Sequence, residues 1–463
     1  MSQPAEVLIP ASSAADSNTP WLLPYSALDE AALMRLAQRS IDDIAAGACA
    51  GVELSNVVEH LGLRGNHHNQ RLAVVADSVN ELAEKLGAFT RGESRPGLFE
   101  GKGTAGRSIE SVAFIYPDQG GQWAGMAREL LSAETSFRDG VQACDKVIRP
   151  YLGKSILDVL SSSDDAERIG GIDLIQPALF AVQVGLTMLW RTWGLRPGMV
   201  IGYGMGEVAA AWAADALQLE DAAQIILGRS RLLATVEGKG AMAMVGLSSD
   251  DCKAFADGGT VAVAAINGPS STVLAGLPEA VNELVAQLER DGVPCRRIKM
   301  DAASNSPCVE PLRPYLLAEF DGIQPRQTAV PMVSTVTGKP IDGTQLNPDY
   351  WWSNVRQRVL FSDAISEVAG DATAFLELPT SDADDVDQRR VAFTTRPRTH
   401  RRRVVVTAQQ LRPPCTVGRG GRALCTRAHY RLGSHRIELS EADQPSRIVT
   451  AVDAPAYAGK VQS

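Results

Sequence analysis

The apolar run Met199-Val200-Ile201 leads directly into Gly202-Tyr203-Gly204-Met205-Gly206, and this junction constrains the fold more than any other stretch. A short run that is apolar at every position has the length of a strand, and it belongs in a sheet covered on both faces. Alternating glycines then let the backbone turn sharply into a helix starting near Glu207, because a residue without Cβ tolerates close approach. A strand passing at once into a helix is the unit of α/β architecture.

The rest of the 463-residue chain is ordered around that unit. Residues 1–19 are small and polar and read as a flexible lead. Ordered structure is expected from Trp21, followed by a helical pattern through Leu28, Leu33, Leu36, Ile41 and Ile44. A short helix at Val57 to Leu61, a strand Arg71 to Ala76 and a helix capped by Ser78 with Glu81 complete a small α/β module over 20–108. A second unit, 109–380, opens with a β-type run Ser111 to Tyr116 and the Gly-rich loop Asp118 to Trp123. Helices from Gly125 and Glu134 and an amphipathic helix from Gln176 to Trp190 follow. From about 240 to 300 the pattern is strand, helix, strand, strand, helix, strand, the βαββαβ order of a ferredoxin-like subdomain. The α/β pattern resumes through Val330 to Thr335, a helix Trp351 to Val368 and a strand Ala374 to Leu378, so the subdomain is an insertion between two halves of one sheet.

Residues 381–463 differ in character. Between Arg389 and His435 lie a dozen arginines, no lysine and no acid, and no period persists beyond Arg403-Val404-Val405-Val406. This Arg-rich irregular tail reads either as a basic arm for an acidic surface or nucleic acid or, the preferred reading, as a disordered or poorly evolved tail for which a reading-frame change is one origin. The chain as a whole carries a formal net charge of −9, which argues against nucleic acid as a partner. No apolar run reaches the roughly 18 residues of a membrane span; the best, Ala178 to Trp190, is interrupted by Gln183. The seven cysteines are scattered without C-x-x-C spacing, so neither a disulfide framework nor a metal site is expected and a cytoplasmic location fits.

In a strand–turn–helix, G-x-?-x-G is the spacing of the nucleophile elbow of serine acyl-transfer enzymes, although alternating glycines alone also make a plain tight turn. At an elbow the central side chain stands in the cleft, the next N–H, here that of Met205, faces the oxyanion, and the helix dipole adds to the field. Position 204 is glycine, which carries no nucleophile.

Other segments carry a family resemblance. Pro117-Asp118-Gln119-Gly120-Gly121-Gln122-Trp123-Ala124-Gly125-Met126 resembles the PGQGSQWAGM signature of acyltransferase domains in type I polyketide synthases. Gln176 to Ala181, Gly202 to Ala210, Asn267 to Val273 and Ser334 to Gly338 fall in the family's order and spacing. The module at 20–108 resembles the linker joining a ketosynthase to its acyltransferase, and Arg64 to Val74 has the style of actinobacterial lipid-forming synthases. The resemblance spans about residues 20 to 380. It implies an α/β-hydrolase-like core with an inserted ferredoxin-like subdomain, preceded by a small α/β linker domain. It also implies transfer of a malonyl or methylmalonyl group from coenzyme A to the phosphopantetheine thiol of an acyl carrier protein, with no bound cofactor or metal.

Carried over by motif, the nucleophilic serine falls on Gly204 and the general-base histidine on Asn305, within Ala302-Ala303-Ser304-Asn305-Ser306-Pro307. Asparagine hydrogen-bonds but takes up no proton near neutral pH. The residue before the elbow, normally histidine, is Tyr203, and no histidine lies within 111–380. Gln119 and Met205 match the oxyanion groups, and Arg229 matches the arginine that holds a malonyl carboxylate with its bidentate fork. The alternatives are a surface helix position for Arg229 and a loop hydrogen bond for Gln119. Asp118 and Gly121 depart from the signature, placing a carboxylate where an anionic substrate approaches, and the closing motif is reduced to Glu377-Leu378-Pro379-Thr380-Ser381. Losing one member of a nucleophile–base pair costs about 10⁶ in turnover, roughly 8 kcal/mol. Both are absent here, and Ser230, Ser304, Ser306 and Cys308 offer no elbow and no histidine partner. The expectation is a catalytically inactive acyltransferase-like protein. The alternative is a non-catalytic module that binds acyl-CoA or a carrier protein, or docks on a separate ketosynthase subunit.

Overall fold

A computed structural model describes residues 21–47, 54, 57, 68–102, 111–123, 125–162, 170–256, 259–298, 303–369, 374–378 and 405–407. The expected flexible lead, nearly all of the short helix at Val57 to Leu61 and most of the Arg-rich tail fall outside these residues.

The first module is an antiparallel sheet of β1 (Trp21–Ala27), β2 (Gln70–Ala76) and β3 (Leu98–Lys102), covered by the helices Glu30–Ala45 and Val79–Thr90. Ser78 caps the second helix by accepting from the Glu81 N–H at 3.2 Å, and the Glu81 carboxylate reaches back to the Asp77 N–H at 2.8 Å. The Ser78 half of the expected capping box is thus in register, and only the return bond of Glu81 falls one residue earlier, on Asp77. Leu23, Tyr25, Leu72, Val74, Leu82, Leu86 and Phe89 close its separate core.

The second unit begins with β4 (Val112–Tyr116) and β5 (Met199–Gly202), paired in parallel with Tyr116 opposite Gly202. Then comes the insertion: β6 (Ala241–Val245), helix Ser249–Ala256, β7 (Val261–Gly268), β8 (Ser271–Gly276), helix Pro278–Arg290 and β9 (Cys295–Ile298). Its strands form an antiparallel sheet in the order β7-β8-β6-β9, the ferredoxin-like arrangement expected from the sequence. The chain then returns to the first sheet with β10 (Met332–Ser334), β11 (Lys339–Ile341) and β12 (Ala374–Glu377). From the tail, β13 (Val405–Thr407) adds a parallel edge strand beside β12, giving the order β11-β10-β5-β4-β12-β13.

Alternation along β4 explains how the layers stack. Phe114 and Tyr116 point into a core shared with the helices Thr135–Leu152, Ile172–Thr192 and Leu219–Ala234, whereas Ala113 and Ile115 point to the insertion and the helix Phe361–Val368. The Ile172–Thr192 helix is apolar on nearly every face rather than amphipathic, because helices pack around it. By length and composition it could cross a membrane, yet 78% of its most apolar stretch is buried inside the protein. It meets the Thr135–Leu152 helix backbone to backbone: a Cβ on Gly140 would lie 2.8 Å from Gly185 Cα.

The helix expected at Trp351 to Val368 is two helices, Pro348–Arg356 and Phe361–Val368. Val359 breaks it, exchanging hydrogen bonds of 2.8 Å with Ala264 and Ile266 of β7 and so tying the insertion to the core.

Candidate functional site

Because β4 and β5 are parallel neighbours, the loops leaving their carboxyl ends lie side by side, where open α/β sheets place their ligands. Asp118 and Gly204 each stand two residues beyond the paired Tyr116 and Gly202, so the register alone brings them together. The Tyr203 N–H donates to Tyr116 O at 2.8 Å, and Gln183 donates to Pro117 O at 2.7 Å, fixing both loops.

The elbow expected from the sequence is formed. Gly206 starts the helix Gly206–Ala213, and a Cβ there would sit 2.0 Å from Tyr116 O. Gly204 has φ +55°, the left-handed conformation. A Cβ on Gly204 would lie 2.1 Å from Oδ2 of Asp118. The carboxylate of Asp118 thus fills the space into which a side chain at 204 would project.

That carboxylate is held by backbone donors. The Gln119 N–H donates to Asp118 Oδ1 at 2.8 Å, and the Met205 N–H is also hydrogen-bonded to it. Burial pushes the Asp118 carboxyl up, while the Arg229 cation and these two N–H groups draw it back down. Gln119 contributes through its main chain; its side-chain oxygen is turned to Gln176 Nε2, 2.8 Å away.

Arg229 is not a surface residue: it is 1% exposed on the helix Leu219–Ala234. Its Nε donates to Gln176 Oε1 at 3.2 Å and one terminal nitrogen donates to Asn354 Oδ1. Burial lowers its basicity, and the charges of Asp118 and then Glu207 restore part of it. Asn354 is the hub of the site. Its Nδ2 lies 3.0 Å from both Gly204 O and a carboxylate oxygen of Glu207.

Glu207, fully buried, also accepts from the Tyr350 hydroxyl at 2.6 Å, from Thr335 Oγ1 at 2.7 Å and from the Thr335 N–H. Burial is the dominant influence and raises its carboxyl above the ordinary range, against four hydrogen bonds that lower it. Tyr203 lies against Phe361 with ring centres 5.3 Å apart, and burial, then the Asp118 charge, pushes its phenol up.

Asn305 reaches the same hub from the other side. It adopts φ +58°, a conformation asparagine tolerates better than most residues. Its Nδ2 donates to Asn354 O at 3.0 Å and Gln357 O at 2.6 Å, and its N–H to Val355 O at 2.8 Å. The side chain therefore closes the carboxyl end of the helix Pro348–Arg356. Ser306 and Ser230 are committed to backbone carbonyls, of Ala303 at 2.6 Å and Leu227 at 3.1 Å. Among the described residues no cluster of His, Cys, Asp and Glu could hold a metal ion.

The structure thus gathers Gly204, Met205, Gln119 and Arg229 around Asp118, with Asn305 joined through Asn354. Sequence reasoning missed Asn354, Glu207 and Tyr350 as site residues. Gln176 and Glu207 lay inside segments singled out for their spacing, whereas a lone asparagine within a helix carries no local signal.

Comparison with known proteins agrees with this geometry. The family described as "Acyl transferase domain" matches residues 113–381, more than half of the chain. The chain is 38% identical over 359 residues to the spectinabilin polyketide synthase system protein NorA' of Streptomyces orinoci, covering 76% of this chain and 10% of that protein. It is 37% identical over 371 residues to erythronolide synthase EryA3 of Saccharopolyspora erythraea, covering 79% and 11%. The chain spans about a tenth of the length of these relatives. Among solved structures, the acyltransferase domain from module 8 of the salinomycin polyketide synthase superposes with a TM-score of 0.72 at 36% identity, covering 80% of this chain and 87% of that one. Strand order, elbow and sequence together lead to one assignment: the chain belongs to the acyl transferase domain family.

Proposed function

We propose that this chain is a non-transferring member of its family, built to the plan of a polyketide synthase acyltransferase but unable to carry an acyl group. The family reaction takes a malonyl-type group from coenzyme A to a carrier-protein thiol through an acyl-enzyme. One observation carries the reading: at the elbow, the space of the nucleophile is filled by the Asp118 carboxylate. Asn305, at the base position, spends its amide hydrogens on helix carbonyls. The alternative, that the cleft holds malonyl-CoA without turning it over, is disfavoured because Arg229 is already hydrogen-bonded to Gln176 and Asn354 and lies in the field of the Asp118 carboxylate.

Incubation with malonyl-CoA followed by intact-mass measurement tests the reading. No covalent adduct and no release of free coenzyme A above background are expected; an adduct would overturn it. Restoring the pair alone, Gly204→Ser with Asn305→His, is expected to remain silent because the new hydroxyl meets Asp118. Adding Asp118→Gly is expected to permit self-acylation. For the linker-like module, docking on a separate ketosynthase predicts co-elution of the two chains.

A further inference from the structure

Resting on the non-transferring reading, a second feature of the cleft concerns what the Asp118 carboxyl group replaces. Its surroundings are those of an anion site: the main-chain N–H groups of Gln119 and Met205, the amino end of the helix Gly206–Ala213 and the buried Arg229 cation. The N–H groups and the helix end favour negative charge at the carboxyl, and the Arg229 cation adds its field from beyond contact. The donors come from two loops on neighbouring strands, so the site is built by the sheet rather than by the local conformation of one loop.

We infer that Asp118 is a tethered internal ligand of a small-carboxylate site, which it closes to free carboxylates and to thioester carbonyl oxygens alike. Tethering favours occupancy of the site by Asp118. A group on a short linker has an effective concentration of at least about millimolar, and Asp118 is directly joined to Gln119, one of its own donors. An external carboxylate must therefore displace a partner that never diffuses away. With the side chain removed, the Gln119 and Met205 N–H groups lose this acceptor while the Arg229 cation still adds its field.

The test uses the full chain and sodium acetate as the probe, with sodium chloride at equal ionic strength as the control. Asp118→Gly should gain a saturable rise in melting temperature of ~2–4 °C at millimolar acetate. Wild type and Asp118→Asn, whose amide oxygen still reaches the same donors, should show none. Equal acetate binding by the wild type would overturn the inference, as would a folded Asp118→Gly that ignores acetate. Hydrogen exchange at the Met205 amide of the wild type gives an independent readout: protection supports occupancy, and exchange at the rate of a free amide refutes it. These outcomes are separable from self-acylation, because an adduct on the wild type would sink the non-transferring reading without altering the acetate response.

Discussion

Replacing Gly204 with alanine forces two costs that a double-mutant cycle can separate. One is backbone strain: φ is +55° at Gly204, and holding an L-residue in that region costs about 1–2 kcal/mol. The other is steric. The new Cβ lies 2.1 Å from Asp118 Oδ2, so the carboxylate has to leave the Gln119 and Met205 N–H groups. Hydrogen bonds to a charged group are worth about 1.5–3 kcal/mol each when buried. Asp118 keeps partial exposure, and water replaces part of that loss, so about 1.5–3 kcal/mol in total is the reasonable estimate. Gly204→Ala alone should therefore cost about 2.5–5 kcal/mol, and in an Asp118→Ala background only the strain of about 1–2 kcal/mol. Urea unfolding followed by tryptophan fluorescence reads this, since Trp190 and Trp351 are buried in the acyltransferase-like core. Additive effects, with a coupling below about 0.5 kcal/mol, would show that Asp118 does not occupy the space above residue 204.

Glu207→Ala should cost upward of 3 kcal/mol in the same assay, because it strands buried donors of Thr335, Tyr350 and Asn354. Gly185→Ala should cost about 1–3 kcal/mol by overpacking, since its Cβ would lie 2.8 Å from the Phe137 ring; unchanged stability would refute the close helix contact. Burial pushes the Glu134 carboxyl up to about 7. An acid whose pKa rises on folding contributes stability in full below its unfolded pKa of about 4.3, and loses it as pH climbs to the folded value. Wild type should accordingly lose stability between about pH 4 and pH 7 relative to Glu134→Gln; parallel profiles would show that this carboxyl is not desolvated.

The elements whose patterns repeat locally were legible in the sequence. The βαββαβ order of the insertion and the run Met199–Gly202 into Gly206 follow from hydrophobic period and glycine spacing, and both are where that spacing puts them. What escaped the sequence depends on distant partners. Trp351 to Val368 reads as one helix because its apolar spacing is unbroken, but Val359 gives its backbone groups to a strand almost a hundred residues earlier. Glu207 looks like a solvated helix residue until Thr335 and Tyr350 arrive from other elements. Asp118 was visible as a departure from the family signature, yet only the strand register shows that its carboxylate ends above residue 204.

The shape of the elbow does not depend on the side chain that would do the chemistry. Its turn is fixed by the close approach of Gly206 to Tyr116 O, by the Asn354 bond to Gly204 O and by the Glu207 network, none of which uses a side chain at 204. A serine held at φ +55° stores strain of about 1–3 kcal/mol, the ordinary cost of a reactive residue in a left-handed turn. Glycine removes that strain, and Asp118 then supplies a partner for N–H groups otherwise left facing an empty cleft. On the non-transferring reading, glycine at 204 and a carboxylate at 118 both favour the folded state, so the scaffold persists without a nucleophile at the elbow.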